Sequence, residues 1–342
     1  MADAGATRIA VTGVNGFVGR HLAAELAGNG IEVVGIGIEE KPDPALGSLL
    51  REYVVADLVE EWPDTGTVGA VIHLAGLAAV GPSFDEPQRY ITVNSAMVTN
   101  LCEGVLASGS SPRVVLVSSG AIYDGKQMLP LTEESAIAFN SPYTVSKVLT
   151  ENQAAYYRGR GLDCVIARPF NHIGPGQGPG FLLPDLAAAL TMVEEPASLV
   201  EVRACEPRTQ EALVSRPRPS APQPAARRPS ARPLKVGNLT TRRDYTDVRD
   251  VARAYRMLAT QPHLSHSIYN ICSGRSLAGN DILTELLKAS GLSCVDTEID
   301  ESRLRPDDPA EIVGDNSRLR DDLGWTPRFS IEDTIADYLR AR

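Results

Sequence analysis

Two groups of residues in this chain have the types and spacing for chemistry. In Ser141-Pro142-Tyr143-Thr144-Val145-Ser146-Lys147, Ser141 suits a helix cap and Pro142 the first helical position, which places Tyr143 and Lys147 on one face, a turn apart. A tyrosine hydroxyl, with a pKa of about 10, is a poor base at neutral pH. A nearby ammonium stabilises the phenolate and draws that value toward the working range, so the pair can remove or return the proton of a substrate hydroxyl. The second group is Gly13-Val14-Asn15-Gly16-Phe17-Val18-Gly19. Gly13 permits a sharp turn, Gly16 lets backbone approach a pyrophosphate, and Gly19 lets a helix pack closely on a strand. The pyrophosphate then meets the outward N–H groups at the positive end of that helix, in a cradle that includes Asn15, Phe17 and Val18.

These groups need elements to position them. Arg8–Thr12 is a short β-prone apolar run, and Val18–Ala27 repeats its apolar residues at helical spacing, so the glycine turn joins a strand to a helix. Strands are expected at Glu32–Ile38, Ala70–Ala75, Arg113–Ser118 and Cys164–Ala167, with helices at Ile91–Ala107 and Tyr143–Gly159. This alternation predicts an α/β fold, a parallel sheet covered on both faces. After Pro169 the pattern loosens, with helices expected at Asp247–Thr260, Gly279–Ser290 and Ile331–Arg340. We therefore expect a dinucleotide-binding unit over 1–168, to which a later strand and helix near 234–262 return, and a smaller mixed α/β substrate unit over 169–342. Pro196–Pro233 interrupts the latter with seven Arg against three Asp plus Glu, and many prolines. It reads either as a lid or basic contact loop beside an anionic ligand, or as an insertion of no catalytic importance.

Composition excludes other classes. Of 342 residues 43% are apolar, enough for a core, and a net charge of −10 argues against nucleic acid or an anionic membrane as partner. The longest weakly polar run, Thr67–Val80, is too short to span a bilayer and contains His73. Met1–Thr7 lacks a basic n-region, and the five scattered cysteines form no CxxC, so reduced thiols and a cytoplasmic location are expected. His73, ending an apolar strand, reads as a core histidine, and no His cluster calls for a metal.

The Gly-x-x-Gly-x-x-Gly spacing, taken with Tyr143 and Lys147, resembles the extended short-chain dehydrogenase/reductase superfamily and its NAD-dependent epimerase/dehydratase branch, which acts on nucleotide-diphosphate sugars. The resemblance implies a Rossmann-type doubly wound sheet and a bound NAD. In that branch an acid ends the second strand and holds the adenosine ribose. Here the nearest are Glu39 and Glu40, past Gly37; a carboxylate at Glu39 would repel the 2′-phosphate of NADP, which favours NAD without excluding NADP. Asp57 falls where the family places an acid beside the adenine, although it also reads as a loop cap. Leu58, Leu74, Ala75, Gly76 and Pro169 complete the implied cofactor set with Tyr143 and Lys147. Ser119, four residues before Tyr123, takes the place of the Ser or Thr that bonds the reacting sugar oxygen, so Ser119, Tyr143 and Lys147 form the implied catalytic triad. A homodimer through the helix bearing Tyr143 and its neighbour is also implied.

The reaction is narrowed by what is missing. The family's 4,6-dehydratases carry acids after that Ser or Thr, whereas this chain has Gly120 and Ala121. His73–Ser83 is similar to the corresponding run of UDP-glucose 4-epimerases, with Ala78 where those have Lys. Arg168–Gln177, Val236–Leu239, Arg243–Asp250 and Leu304-Arg305-Pro306 resemble GDP-6-deoxy-mannose reductases instead. That likeness implies a substrate set of Ser119, Gly120, Asn171, Arg243 and Arg305, with the two guanidinium forks on the diphosphate. A 4-ketoreductase acting on a nucleotide-linked 4-keto-6-deoxyhexose is the leading expectation. A 4-epimerase holding NAD tightly, an atypical dehydratase and a non-catalytic NAD-binding scaffold are the alternatives.

Overall fold

A computed structural model of the chain describes residues 8–191, 233–292, 294–303 and 308–342. Strand β1 (Arg8–Thr12) passes through the glycine turn into α1 (Phe17–Gly28), followed by β2 (Glu32–Gly37), β3 (Glu52–Val55) and β4 (Ala70–His73). The single turn α2 (Val80–Ser83) precedes the long α3 (Pro87–Ala107), and then come β5 (Arg113–Val117), α4 (Pro142–Gly159) and β6 (Cys164–Pro169). Next are β7 (Asn171–Ile173), α5 (Leu182–Thr191), β8 (Leu234–Val236), β9 (Arg242–Asp247), α6 (Val248–Thr260) and β10 (Ile268–Ile271). The chain ends with β11 (Ser276–Ala278), α7 (Gly279–Ala289), β12 (Thr297–Ile299), β13 (Glu311–Ile312), α8 (Ser317–Leu323) and α9 (Ile331–Arg340).

Seven strands form one parallel sheet in the order β10-β6-β5-β4-β1-β2-β3. Such a sheet buries both faces, which is why β4 is buried at every residue and β1 at all but its first. Helices α1 and α6 supply Leu22, Leu26, Val251, Tyr255 and Leu258 to one face. Val98, Leu101 and Val105 of α3 and Ala154 and Tyr157 of α4 cover the other. A buried leucine such as Leu26 stabilises by about 2 kcal/mol.

The sheet extends the sequence expectation at both edges. Strand β3 escaped the pattern because an edge strand with exposed Glu52 and Val55 carries no continuous apolar run. The helix expected to return to the sheet is α6; the returning strand, β10, lies beyond 234–262. The strands inside that window, β8 and β9, pair with β12 and with β7, β11 and β13. Around those smaller sheets a separate cluster packs Ile173, Leu183, Leu186, Val236, Ile282, Leu286 and Ile335. The Arg/Pro-rich segment lies outside the described residues, apart from Pro233. Among the described residues no helix is long and apolar enough to cross a membrane.

Candidate active site

Strand β1 pairs with both β2 and β4, so the crossovers leave in opposite directions on either side of it and a crevice opens at the carboxyl ends of the strands. Gly13 stands at that point with φ +65°, and a side chain there would have its Cβ 2.9 Å from the Ala75 nitrogen. At Gly19 a Cβ would collide with the carbonyl oxygens of Gly13 and Val14. Gly16, which caps α1, is exposed, leaving the first-turn N–H groups accessible. These are the properties a pyrophosphate cradle requires, so the residues present fit a dinucleotide. Phe17 and Val18 begin the helix, half-buried.

The far wall of the crevice is the end of β4. The Thr12 hydroxyl accepts the Leu74 and Ala75 N–H groups, both at 3.1 Å, and lies 2.9 Å from His73 Nδ1. With its lone pairs facing two donors, the hydroxyl gives its proton to Nδ1, which fixes the Nε2–H tautomer. Burial pushes His73 down to about 3, so this ring is a neutral core histidine. Leu74 and Ala75 are half-buried and Gly76 is exposed, lining the cleft. Glu39, just past the β2 end, accepts from Asn15 Nδ2 at 2.9 Å and so sits beside the glycine turn. Asp57 accepts the Val59 N–H at 2.9 Å, a loop cap, while keeping an exposed side chain. The Leu58 side chain is buried in the core, and its carbonyl accepts from Asn100 at 3.0 Å.

The reactive side chains meet where β5 ends against α4. Ser141 and Thr144 form a reciprocal capping box at 3.1 Å in each direction, with Pro142 following the cap. Tyr143 and Lys147 therefore project from the first two turns, and Lys147 Nζ lies 5.9 Å from the Tyr143 ring centre. The ammonium donates to the Val117 carbonyl at 2.9 Å, which ties the helix to the end of β5. Two residues on, the Ser119 hydroxyl accepts the Ala121 N–H at 3.1 Å and is close enough to the Tyr143 phenol to act on its acidity. The structure thus brings Ser119, Tyr143 and Lys147 together. Burial holds the Tyr143 phenol above its ordinary value against the opposing pull of the Ser119 hydroxyl, so here it is a proton donor; the expected drop requires a further positive charge, such as that of an oxidised nicotinamide. Burial also lowers Lys147 to about 8, against the opposing pull of Glu151.

Asn94 was not foreseen. It donates to Ser146 Oγ at 3.0 Å and to the Leu77 carbonyl at 3.2 Å, and it accepts the Leu77 N–H at 2.8 Å. It therefore locks α3 to the turn of α4 between Tyr143 and Lys147. Its signal was a polar residue in the otherwise apolar stripe Tyr90, Asn94, Met97, Leu101 of α3.

Around the substrate side, Gly120 is buried under Phe170, whose ring would lie 2.8 Å from any Cβ at that position. Ala121 beside it is exposed. Pro169 ends β6, and Asn171 opens β7 with its side chain exposed. Arg243 is mostly buried on β9. Its guanidinium pairs with Asp308 at 2.6 Å and donates to the Arg242 and Pro309 carbonyls at 2.7 and 2.9 Å. Arg305 lies outside the described residues.

A parallel sheet with a glycine turn at its switch point, and Ser119, Tyr143 and Lys147 gathered where β5 ends against α4, are features of the extended short-chain dehydrogenase/reductase superfamily. The chain belongs to the NAD-dependent epimerase/dehydratase family, whose model matches residues 9–272. It is similar to GDP-6-deoxy-D-mannose reductase of Pseudomonas aeruginosa, with 31% identity covering 96% of this chain and 94% of that protein. It also resembles UDP-glucose 4-epimerase of Pisum sativum, at 26% identity over 98% and 95% of the two chains. Among solved structures, RMD from Pseudomonas aeruginosa complexed with NADPH matches with a TM-score of 0.71 and 27% identity, covering 98% of each chain. The protein is thus an enzyme of the NAD-dependent epimerase/dehydratase family, whose named relatives act on nucleotide-diphosphate sugars.

Proposed function

We propose that the protein reduces C4 of a nucleotide-diphosphate-linked 4-keto-6-deoxyhexose. The observation that carries this reading is the turn after Ser119, where Gly120 has no room for a side chain and exposed Ala121 cannot carry a proton. Elimination by the 4,6-dehydratase route needs an acid or base there, whereas reduction needs proton transfer at one oxygen only. The likeness to GDP-6-deoxy-D-mannose reductase supports the reductase over the other chemistries.

Bound NADH or NADPH supplies the hydride. Tyr143, held protonated by burial, gives its phenolic proton to the O4 that forms, and Ser119 holds the same oxygen. Lys147 contributes positive charge to the phenolate left behind and a donor to the cofactor ribose. Asn171 offers an amide to the sugar, while Arg243 and Arg305 neutralise the diphosphate. A cavity of about 200 Å³ between α5 and β8, lined by Phe181, Leu186, Lys235, Val236 and Arg303, offers an apolar wall for the nucleoside. Dimerisation through α3 and α4, where Tyr156 is 60% exposed, belongs to the same reading; sedimentation at twice the 36.6 kDa chain mass would support it.

A 4-epimerase is the second reading, favoured by the Pisum sativum relative and by the run from His73 to Ser83. It uses the same residues without consuming cofactor. Both are tested by incubating the protein with GDP-, UDP- and dTDP-hexoses and their 4-keto-6-deoxy forms, following added NADH and NADPH together with product mass. Loss of reduced cofactor matched by a gain of two hydrogens is the expected result. Unchanged mass without cofactor loss would identify the epimerase, loss of water a dehydratase, and no product a scaffold.

A further inference from the structure

Between the first two glycines of the cradle, the backbone places no demand on the side chain at Asn15, yet that side chain is fully engaged. Nδ2 faces Glu39 Oε2 at 2.9 Å, the Tyr53 hydroxyl at 3.1 Å and the Lys41 carbonyl at 3.3 Å. Oδ1 accepts the Asp43 N–H at 2.9 Å. Because that backbone donor claims Oδ1, the amide cannot turn over, and the donor end must point at Glu39. Asp43 is itself fixed, capping Ala45 at 2.9 Å and pairing with Arg20 of α1 at 2.8 Å. The Tyr53 hydroxyl donates to the Glu39 carbonyl at 2.9 Å, so Glu39 is held through its backbone and its carboxylate although its side chain is exposed. An exposed glutamate ordinarily spreads over several rotamers, and fixing one costs conformational entropy on binding.

We propose that Asn15 is a positioning residue for cofactor choice: it takes up one oxygen of Glu39 and presents the other toward the adenosine ribose, favouring NAD(H) over NADP(H). This rests on the reading of Glu39 as the ribose acceptor. A carboxylate held in place both accepts the ribose diol and repels a 2′-phosphate, whereas a released one can swing aside and admit it. The test is fluorescence titration of the full-length protein with NADH and with NADPH, needing no turnover, for the wild type, Asn15→Ala, Glu39→Gln and the double variant.

Glu39→Gln is expected to reduce the NADH preference about tenfold or more, the loss of one charge-assisted bond. Asn15→Ala should reduce it about three- to tenfold, chiefly by weakening NADH, with no further change in the ratio when added to Glu39→Gln. Equal weakening of both cofactors by Asn15→Ala, an unaltered ratio, or additivity in the double variant would each overturn the proposal. A flat ratio in Glu39→Gln would overturn the Glu39 reading itself, a result distinct from a shifted Glu39→Gln with a flat Asn15→Ala. Asn15→Ser, which lacks the amide donor, repeats the test if the alanine variant folds poorly.

Discussion

At the scale of single residues, the site depends on two groups whose pKa values burial moves in opposite directions, each toward its neutral form. Tyr143 is held as a phenol and Lys147 is pulled down to about 8. Replacing Tyr143 by Phe removes the proton but little of the shape, so binding of nucleotide sugar should stay within a few-fold while turnover falls at least about 100-fold; steady-state kinetics beside calorimetric binding would check both. For Lys147 the sign follows from its depressed value: the ammonium is intact well below pH 8 and is lost as pH rises through it. NADH affinity should therefore hold steady near neutrality and weaken above about pH 8, and Lys147→Met should bind more weakly with no such break. His73, lowered by burial in the same sense, acts at the acid end of the pH scale. Its folded value of about 3 lies below the ordinary 6.5, so the stability it confers is complete above pH 6.5 and is lost as pH falls toward 3. His73→Asn should flatten that part of the acid limb, as read by urea unfolding at pH 7.5 and pH 5.

Between elements, the two halves of the catalytic cluster are joined from behind by one guanidinium. Arg168 of β6 makes paired bonds of 2.8 and 2.6 Å to Glu151, one turn beyond Lys147 on α4. Its third nitrogen reaches the Tyr123 hydroxyl at 2.8 Å, just after the turn that carries Ser119, and the Glu133 carbonyl at 3.0 Å. Breaking a buried pair leaves an uncompensated charge. Arg168→Met should cost about 3–5 kcal/mol in denaturant unfolding, and the Arg168→Met/Glu151→Met double variant should recover much of it. No periodicity discloses this network, because Glu151 and Tyr123 sit in runs that read simply as helix and turn. The capping of α4, by contrast, was legible: Ser141 and Pro142 announce a helix start by type alone, so the spacing of Tyr143 and Lys147 followed. The glycine turn was legible for the same reason, since each glycine answers a local steric demand.

For the molecule as a whole, long-range pairing decides what local pattern cannot. The alternation of strands and helices up to Cys164–Ala167 was enough to foresee the parallel sheet, but not that Ile268–Ile271 would add to its β6 edge, nor that α6 would pack beside α1. Residues 1–168 alone would lack both, exposing the apolar face of β6 and the side of α1 that packs on Val251, Tyr255 and Leu258. That fragment should be insoluble or molten, as judged by near-ultraviolet circular dichroism and gel filtration, in contrast to the intact chain. The smaller sheets in between hold Asn171 and Arg243 on adjoining strands, β7 and β9, which sequence distance conceals.

The return of the chain to its first sheet also limits how new specificities can arise by recombination. The stretch from β7 to β9 leaves the main sheet after β6 and rejoins it through α6 and β10. Because β8 and β9 also pair with β12, β11 and β13 beyond β10, a substrate-recognising module from a relative would have to be spliced at three junctions, after β6, before α6 and after β10, and a single crossover would pair one parent's nucleotide cradle with the other parent's sheet edge. Gradual change inside the excursion avoids that mismatch.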